Sequence, residues 1–290
     1  MPNSSHLPAL TLAILRAVEY ADIFDFPLTL KEIHVRAPIR ASLQQISGEL
    51  SKLLRDKLLT RRSGYYFLPG KDLASLRKRR ERVCAKKILL ASRAGNILMA
   101  IPTISAVFLT GSLAAGNARN RDDIDLMLIT KPNSLWTTRL IIIPFFDILN
   151  LRRKRLSRHV ADKLCFNLFL SETSLSVPEP KRSLYTAHEI LLAKPLFDKN
   201  NQSSHLLSSN PWIRDYFPNL PPQKKRKLPP TSMPNPLENL AYNLQLLYMR
   251  RHQTNEVVSK SFAFFHPQDL SKQLLPELDR RMRKYTRSTR

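Results

Sequence analysis

Two aspartates one residue apart, Asp123 and Asp125, follow a Gly-Ser pair, Gly111 and Ser112, with ten residues between. These are the residue types in this chain whose spacing can do chemistry. Carboxylates placed side by side repel each other unless a cation lies between them, and their oxygens suit a hard ion such as Mg²⁺ (or Mn²⁺). Mg²⁺ usually takes one or two carboxylates together with substrate phosphates. Gly111 permits a tight turn and close backbone approach. Ser112 can open a short helix over Leu113-Ala114-Ala115, whose free N–H groups and hydroxyl suit an anion. A phosphate cradle beside a metal-binding carboxylate pair is the composition of a nucleotide site.

The flanks fit that reading. Ala106 to Leu109 and Leu126 to Ile129 are short apolar runs bounded by polar turn residues, the pattern of two buried strands. If Asp123 opens the second strand, its period of two puts Asp123, Asp125 and Met127 on one face and Ile124, Leu126 and Leu128 on the other. By the same parity Asp122 turns away and reads as a solvated turn residue.

An apolar strand, Gly-Ser, about ten residues and Asp-apolar-Asp is the signature that this stretch shares with the DNA-polymerase-β-like nucleotidyltransferase superfamily, which it resembles over roughly residues 94–200. The resemblance implies NTP·Mg²⁺ binding and transfer of a nucleoside monophosphate to an acceptor, with release of pyrophosphate. It implies that Gly111 and Ser112 hold the triphosphate and that Asp123 and Asp125 hold the metal. It also implies a third carboxylate on a later strand, as ligand or base, and here the chain departs. The later strand reads Leu164-Cys165-Phe166-Asn167-Leu168-Phe169-Leu170, and the inward polar residue is Asn167. An amide takes no proton and binds Mg²⁺ weakly. General-base assistance is worth about 10²–10⁴-fold, while positioning and charge neutralisation supply most of phosphoryl-type catalysis. Asn167 therefore bears on rate more than on metal–nucleotide binding.

The chain must supply elements that position these groups. Its 290 residues suffice for two or three small domains with a sizeable core. The formal net charge of +24 predicts attraction to polyanions, nucleic acid first and acidic membrane surface second. Two cysteines, Cys84 and Cys165, lack metal-ligand spacing and read as buried free thiols of a reducing compartment. Residues 1–8 lack a signal-peptide pattern, and the most apolar run, Leu140 to Leu149, is too short to span a bilayer and contains Pro144. The expected location is cytoplasmic.

Residues 1–71 read as a winged helix-turn-helix. Its first helix is Leu10 to Tyr20, and capping boxes Thr29/Glu32 and Ser42/Gln45 open two more. Strand-like pieces Lys57–Thr60 and Tyr65–Leu68 make a wing through Arg62-Ser63-Gly64. Lys52 and Arg55 on the third helix are balanced by Glu49 and Asp56, so contact with DNA, RNA or protein stays open. Residues 72–100 read as one basic helix with a seam at Leu76, Val83, Leu90 and Ile97. Arg77, Lys78, Arg79, Arg80, Arg82, Lys86 and Lys87 crowd its other faces, as a polyanion track or a solvated surface.

Residues 101–200 form the expected nucleotidyltransferase core. It includes a helix from Ser134 to Leu149 carrying Arg139, a basic loop Arg152-Arg153-Lys154-Arg155 with Arg158 and Lys163, a helix over Ser183–Leu192, and an edge strand at Pro195-Leu196-Phe197. His159 and His188 read as structural. Residues 201–232 read as a linker holding Lys224-Lys225-Arg226-Lys227. Residues 233–290 read as a helical region, with Asn235, Pro236 and Glu238 as a helix start and Leu237, Leu240, Ala241, Leu244, Leu247 and Tyr248 as its apolar stripe. Phe262, Phe264 and Phe265 read as core, and a last helix, started at His266-Pro267, is interrupted or restarted at Pro276. The fold class expected is α/β (α+β), a small mixed sheet flanked by a winged helix and C-terminal helices. The function expected is Mg²⁺-dependent nucleotidyl transfer to a nucleic-acid end or a protein. The alternative is a catalytically silent, nucleotide-sensing regulator that binds nucleic acid.

Overall fold

The computed structural model describes residues 7–154, 157, 159–222, 235–250, 257–265 and 270–286. Arg155, Arg158, the Lys224–Lys227 run and His266-Pro267 lie outside the described residues.

The chain begins with three helices and a hairpin: α1 (Ala9–Asp22), α2 (Leu30–Arg36), α3 (Leu43–Arg55), β1 (Thr60–Arg62) and β2 (Tyr65–Phe67). Both capping boxes form, Thr29 with Glu32 and Ser42 with Gln45. Ser63 and Gly64 both have positive φ, as a tight hairpin turn of this hand requires. Ile14, Leu15, Leu28, Ile33, Ile46, Leu50 and Leu53 share one buried core.

A 27-residue helix, α4 (Leu73–Met99), leads to a mixed six-stranded sheet. In chain order come β3 (Ile104–Leu109), α5 (Gly111–Ala114), β4 (Ile124–Thr130), α6 (Leu135–Ile148), β5 (Leu164–Ser171), α7 (Leu184–Leu192), β6 (Lys194–Asp198), α8 (Gln202–Ser208), α9 (Ile213–Tyr216), α10 (Pro236–Arg250), β7 (Val257–Val258), β8 (Phe262–Phe264) and α11 (Ser271–Thr286). The strand order is β6-β3-β4-β5-β8-β7, with β4 and β5 parallel and every other pair antiparallel. The molecule is thus a mixed α/β fold with β6 at one sheet edge. Among the described residues no helix is long and apolar enough to cross a membrane.

Alternation along β4 sorts its side chains to two cores. Ile124, Leu126 and Leu128 pack with α4, α6 and α10, while Met127 and Ile129 pack with α7, α8 and α9. Asp125 has the parity of Met127 and stands on the α7 side.

Four expectations are corrected. The heptad seam of α4 is not what docks: Leu90 and Ile97 are exposed, and Cys84, Ala91, Ala94, Gly95 and Leu98 are buried instead. Small residues allow close approach, with Leu196 in van der Waals range of where a Gly95 Cβ would stand. The linker does not begin at 201. Residues through Tyr216 form α8 and α9, because Leu206, Ile213 and Phe217 are buried against the sheet. Apart from Ala241, the stripe of α10 points outward, and Glu238, Ala241, Gln245 and Met249 face in. Glu238 is drawn inward because its carboxylate accepts from Trp136 N (2.6 Å) and Thr137 N (2.9 Å), capping α6 where Ser134 makes no side-chain cap. Finally, residues 257–264 contribute β7 and β8 rather than helix, and α11 runs uninterrupted through Pro276.

Much of the charge on α4 is committed internally. Arg77 grips Glu32 with two hydrogen bonds (2.8 and 3.0 Å), and its guanidinium lies over the Phe26 and Tyr65 rings. Arg80 donates to Phe24 O and Asp25 O and pairs with Asn117. Lys87, 2% exposed, binds Asn120 O, Asp122 O and Asp162. Lys78, Arg79, Arg82 and Lys86 remain exposed.

Candidate functional site

The site is built where β3 turns into α5. Leu109 is paired with Leu126, and Thr110 N donates to Asp125 O at 3.0 Å, so the turn is tied to the head of β4. Gly111 has φ +62°, and a Cβ there would collide with the Asp125 carboxylate, its Cγ only 3.2 Å away. Both facts demand glycine. On its other flank β4 pairs with β5, and Asp125 lies directly opposite Cys165. The register slips between Leu126 and Met127, so β5 gains a residue at Asn167. That bulge brings Asn167 to bear on the same carboxylate, and its Nδ2 donates to Asp125 Oδ1 at 3.0 Å.

Asp123, Asp125 and Cys165 present their donor atoms within 4.8 Å of one another. Asp123 pairs with Arg153 at 2.7 Å. Among the described residues Asp125 has no such cation in contact. Burial pushes its pKa up to about 8, helped by the charges of Asp123 and Glu189 and opposed by hydrogen bonding with Cys165. Burial, with the Asp125 and Asp123 charges beside it, drives the Cys165 thiol upward as well. It stays S–H and donates to Asp125 rather than offering a thiolate. Asn167 is 6% exposed, and its Oδ1 has no hydrogen-bond partner among the described residues; the same holds for Thr110 Oγ1.

Two carboxylates and an orphaned amide oxygen suit a hard divalent cation, which Asp123 and Asp125 could hold; the neutral Cys165 thiol adds no ligand for it. Such an ion would offset the burial and, after it, the neighbouring charges that raise the Asp125 pKa.

The geometry brings Gly111, Asp123, Asp125 and Asn167 together. Ser112 is nearby but turned aside: its hydroxyl donates to Asp122 Oδ2 at 3.2 Å. Asp122 is consequently not a solvated turn residue. It also accepts from Arg119 N (2.8 Å) and locks the loop between α5 and β4, while Lys87 holds that loop's carbonyls from α4. Arg139 is elsewhere, with Gln245 and over the Phe265 ring. Arg152 is bound to Asp147, so among the described residues of the basic loop Arg153 is the side chain that reaches Asp123. His188 is structural: burial pushes its pKa down to about 3, and its ring stacks on Tyr20 at 4.0 Å.

Two members were missing from the sequence reading. Cys165 was legible, since the parity that turns Asn167 inward turns Cys165 inward too. Glu189 was not. It stands on α7, far away in sequence, and accepts from Gly111 N–H and the Tyr185 hydroxyl; burial nevertheless pushes its pKa up to about 7. Nothing in the helical pattern of residues 184–192 distinguishes it from a surface glutamate. A cleft of about 540 Å³ borders α5 on another side, lined by Arg36, Arg77, Leu113, Gly116 and Lys194, and none of the aspartates opens into it.

No family model, curated protein or solved structure matches this chain.

Proposed function

We propose that the protein is a divalent-cation-dependent nucleotidyltransferase of the DNA-polymerase-β-like superfamily, carrying a winged-helix-like N-terminal unit. The observation that carries this reading is the juxtaposition at Gly111: a strand-end glycine pressed against the second aspartate of a paired-carboxylate strand head. Asp123 and Asp125 would hold Mg²⁺ or Mn²⁺ together with the phosphates of an NTP. The ion would neutralise charge developing on the phosphates as pyrophosphate leaves. Arg153 orients Asp123, and Asn167 orients Asp125 through its Nδ2. The acceptor is a nucleic-acid end or a protein hydroxyl.

A second reading has its own support. No strand carboxylate faces Asp125 among the described residues, and the donors meant for phosphate are engaged within the chain: Gly111 N–H by Glu189, and Ser112 by Asp122. That favours a slow or silent module which senses nucleotide, while exposed cations bind nucleic acid. Label transfer from each α-labelled NTP with Mg²⁺ or Mn²⁺, in the presence of total cellular RNA, separates the two. Label appearing in RNA or protein and vanishing in Asp123→Ala/Asp125→Ala establishes the enzyme. NTP·Mg²⁺ binding without transfer, unchanged by Asn167→Asp, establishes the silent module.

A further inference from the structure

The cleft of about 540 Å³ beside α5 lies where α2, α4, the turn after α5, the end of α7 and the start of β6 converge. Its volume is within the range of about 300–1,000 Å³ usual for small-molecule sites. The lining is distinctive for what it lacks. Apart from one thiol, Cys84, its side chains are aliphatic or charged, with no aromatic ring, hydroxyl or amide among them. A base or a sugar would meet neither a stacking surface nor a neutral hydrogen-bonding side chain. Val35, Ile88, Leu113, Leu191 and Leu192 offer an aliphatic wall instead. The aspartates of the candidate site do not line this cleft, so the two sites are separate.

Charge in the lining does not balance. Lys31, Arg36, Arg77 and Lys194 meet only Glu32 and Glu81, and Arg77 already holds both of those carboxylates. Lys31 and Lys194 are exposed and hydrated. Arg36 is only 8% exposed, and among the described residues it has no hydrogen bond and no ion pair. Its guanidinium has the Phe26 ring centre 5.6 Å away and feels Glu32 from beyond contact; burial lowers its pKa against that pull. A ring and a distant carboxylate repay only part of what a guanidinium loses on leaving water. Buried arginines are ordinarily forked onto an anion, as Arg77 is onto Glu32. Arg36 also borders a pocket of about 50 Å³ beside Tyr20 and His188, which has room for a few waters. The cleft is the side from which an organic anion can reach it.

We propose that this cleft binds a small aliphatic anion, a carboxylate or phosphate monoester whose head lies on Arg36 and whose chain lies along the aliphatic wall. The test is calorimetric titration of the full chain with decanoate and decyl phosphate, set against decylamine, acetate and inorganic phosphate. One equivalent of a decyl anion should bind, about 10-fold or more tighter than decylamine or either bare head, and the preferred decyl anion identifies the head. Two variants locate the site. Arg36→Met removes the cation, and Ala85→Trp, at an exposed position of α4 in the lining, fills the cleft. Each should weaken binding about 10-fold or more while melting like the wild type. Equal binding of decylamine or of the bare heads would overturn the proposal. So would several equivalents indifferent to both variants, which would assign binding to the chain's general positive charge. If Arg36→Met melts early, Ala85→Trp decides alone, and unchanged affinity there overturns the proposal.

Discussion

Buried and half-buried carboxylates occur in two regions of this molecule, and their company differs. In the helical region Glu19, fully buried, has Lys284 at 2.6 Å, Arg281 at 3.7 Å and the Tyr285 hydroxyl at 2.7 Å. Glu32 is pushed up by burial, yet the Arg77 fork and the Thr29 N–H hold its pKa below the ordinary value. Where the head of β4 meets α7, Asp125 and Glu189 accept hydrogen bonds from neutral groups only among the described residues, and both are pushed up. The helical region carries its own counter-charges, whereas the sheet region pairs Asp123 with Arg153 and leaves Asp125 and Glu189 uncompensated, as the proposed cation site would require.

The largest effect should come from stripping a compensated carboxylate. We expect Arg77→Met to cost about 2–4 kcal/mol in urea unfolding at pH 7. Because the folded pKa of Glu32 is depressed, the pair's contribution is present above its ordinary value of 4.5 and lost as pH falls below it. The deficit should therefore narrow in acid.

Removing an uncompensated charge should do the reverse. The folded pKa of Asp125 is raised from 3.8 to about 8, so wild-type stability falls as pH climbs through that window. Asp125→Asn should gain about 1–3 kcal/mol at pH 8 and little at pH 4. Millimolar Mn²⁺ should raise the melting temperature of the wild type at pH 8 and leave the variant unmoved; equal shifts in both would break the contrast between the two regions.

Glu189→Gln has the same sign over a narrower window, from 4.5 to about 7, and should gain about 1–2 kcal/mol at pH 8. Chemical denaturation at two pH values reads it. The smallest effect belongs to Glu238, which is compensated by two helix N–H groups and the Thr137 hydroxyl. Glu238→Gln should cost about 1 kcal/mol, visible as a modest drop in melting temperature.

How much of this was legible depended on whether the cause was local. Capping boxes, the hairpin turn and the parity of β4 depend on neighbours two to four residues apart; the boxes and the parity formed as read, while the first hairpin strand moved to Thr60–Arg62 and the turn tightened to Ser63-Gly64. The aspartates and Gly111 were found together because one hairpin, β3 to β4, carries them. Glu189 was invisible because its role is set by α7 crossing the sheet. The α10 stripe is apolar as read but, Ala241 apart, faces outward, since periodicity marks an apolar arc without saying what it faces. Here the inward arc holds two polar residues, Glu238 and Gln245, recruited by the N-terminal turns of α6. The bulge that admits Asn167 is likewise a property of strand pairing.

The contact between α11 and α1 bears on the order in which the chain can finish folding. Leu278 and Met282 complete the core of the helical region, and Arg281 joins Asp22 and Glu19. The first helix described is thus closed by the last one described. Until residues 271–286 emerge, Glu19 lacks its cations and the apolar face of α1 lacks its cover, so the nascent N-terminal unit waits, incomplete, through synthesis of the whole sheet.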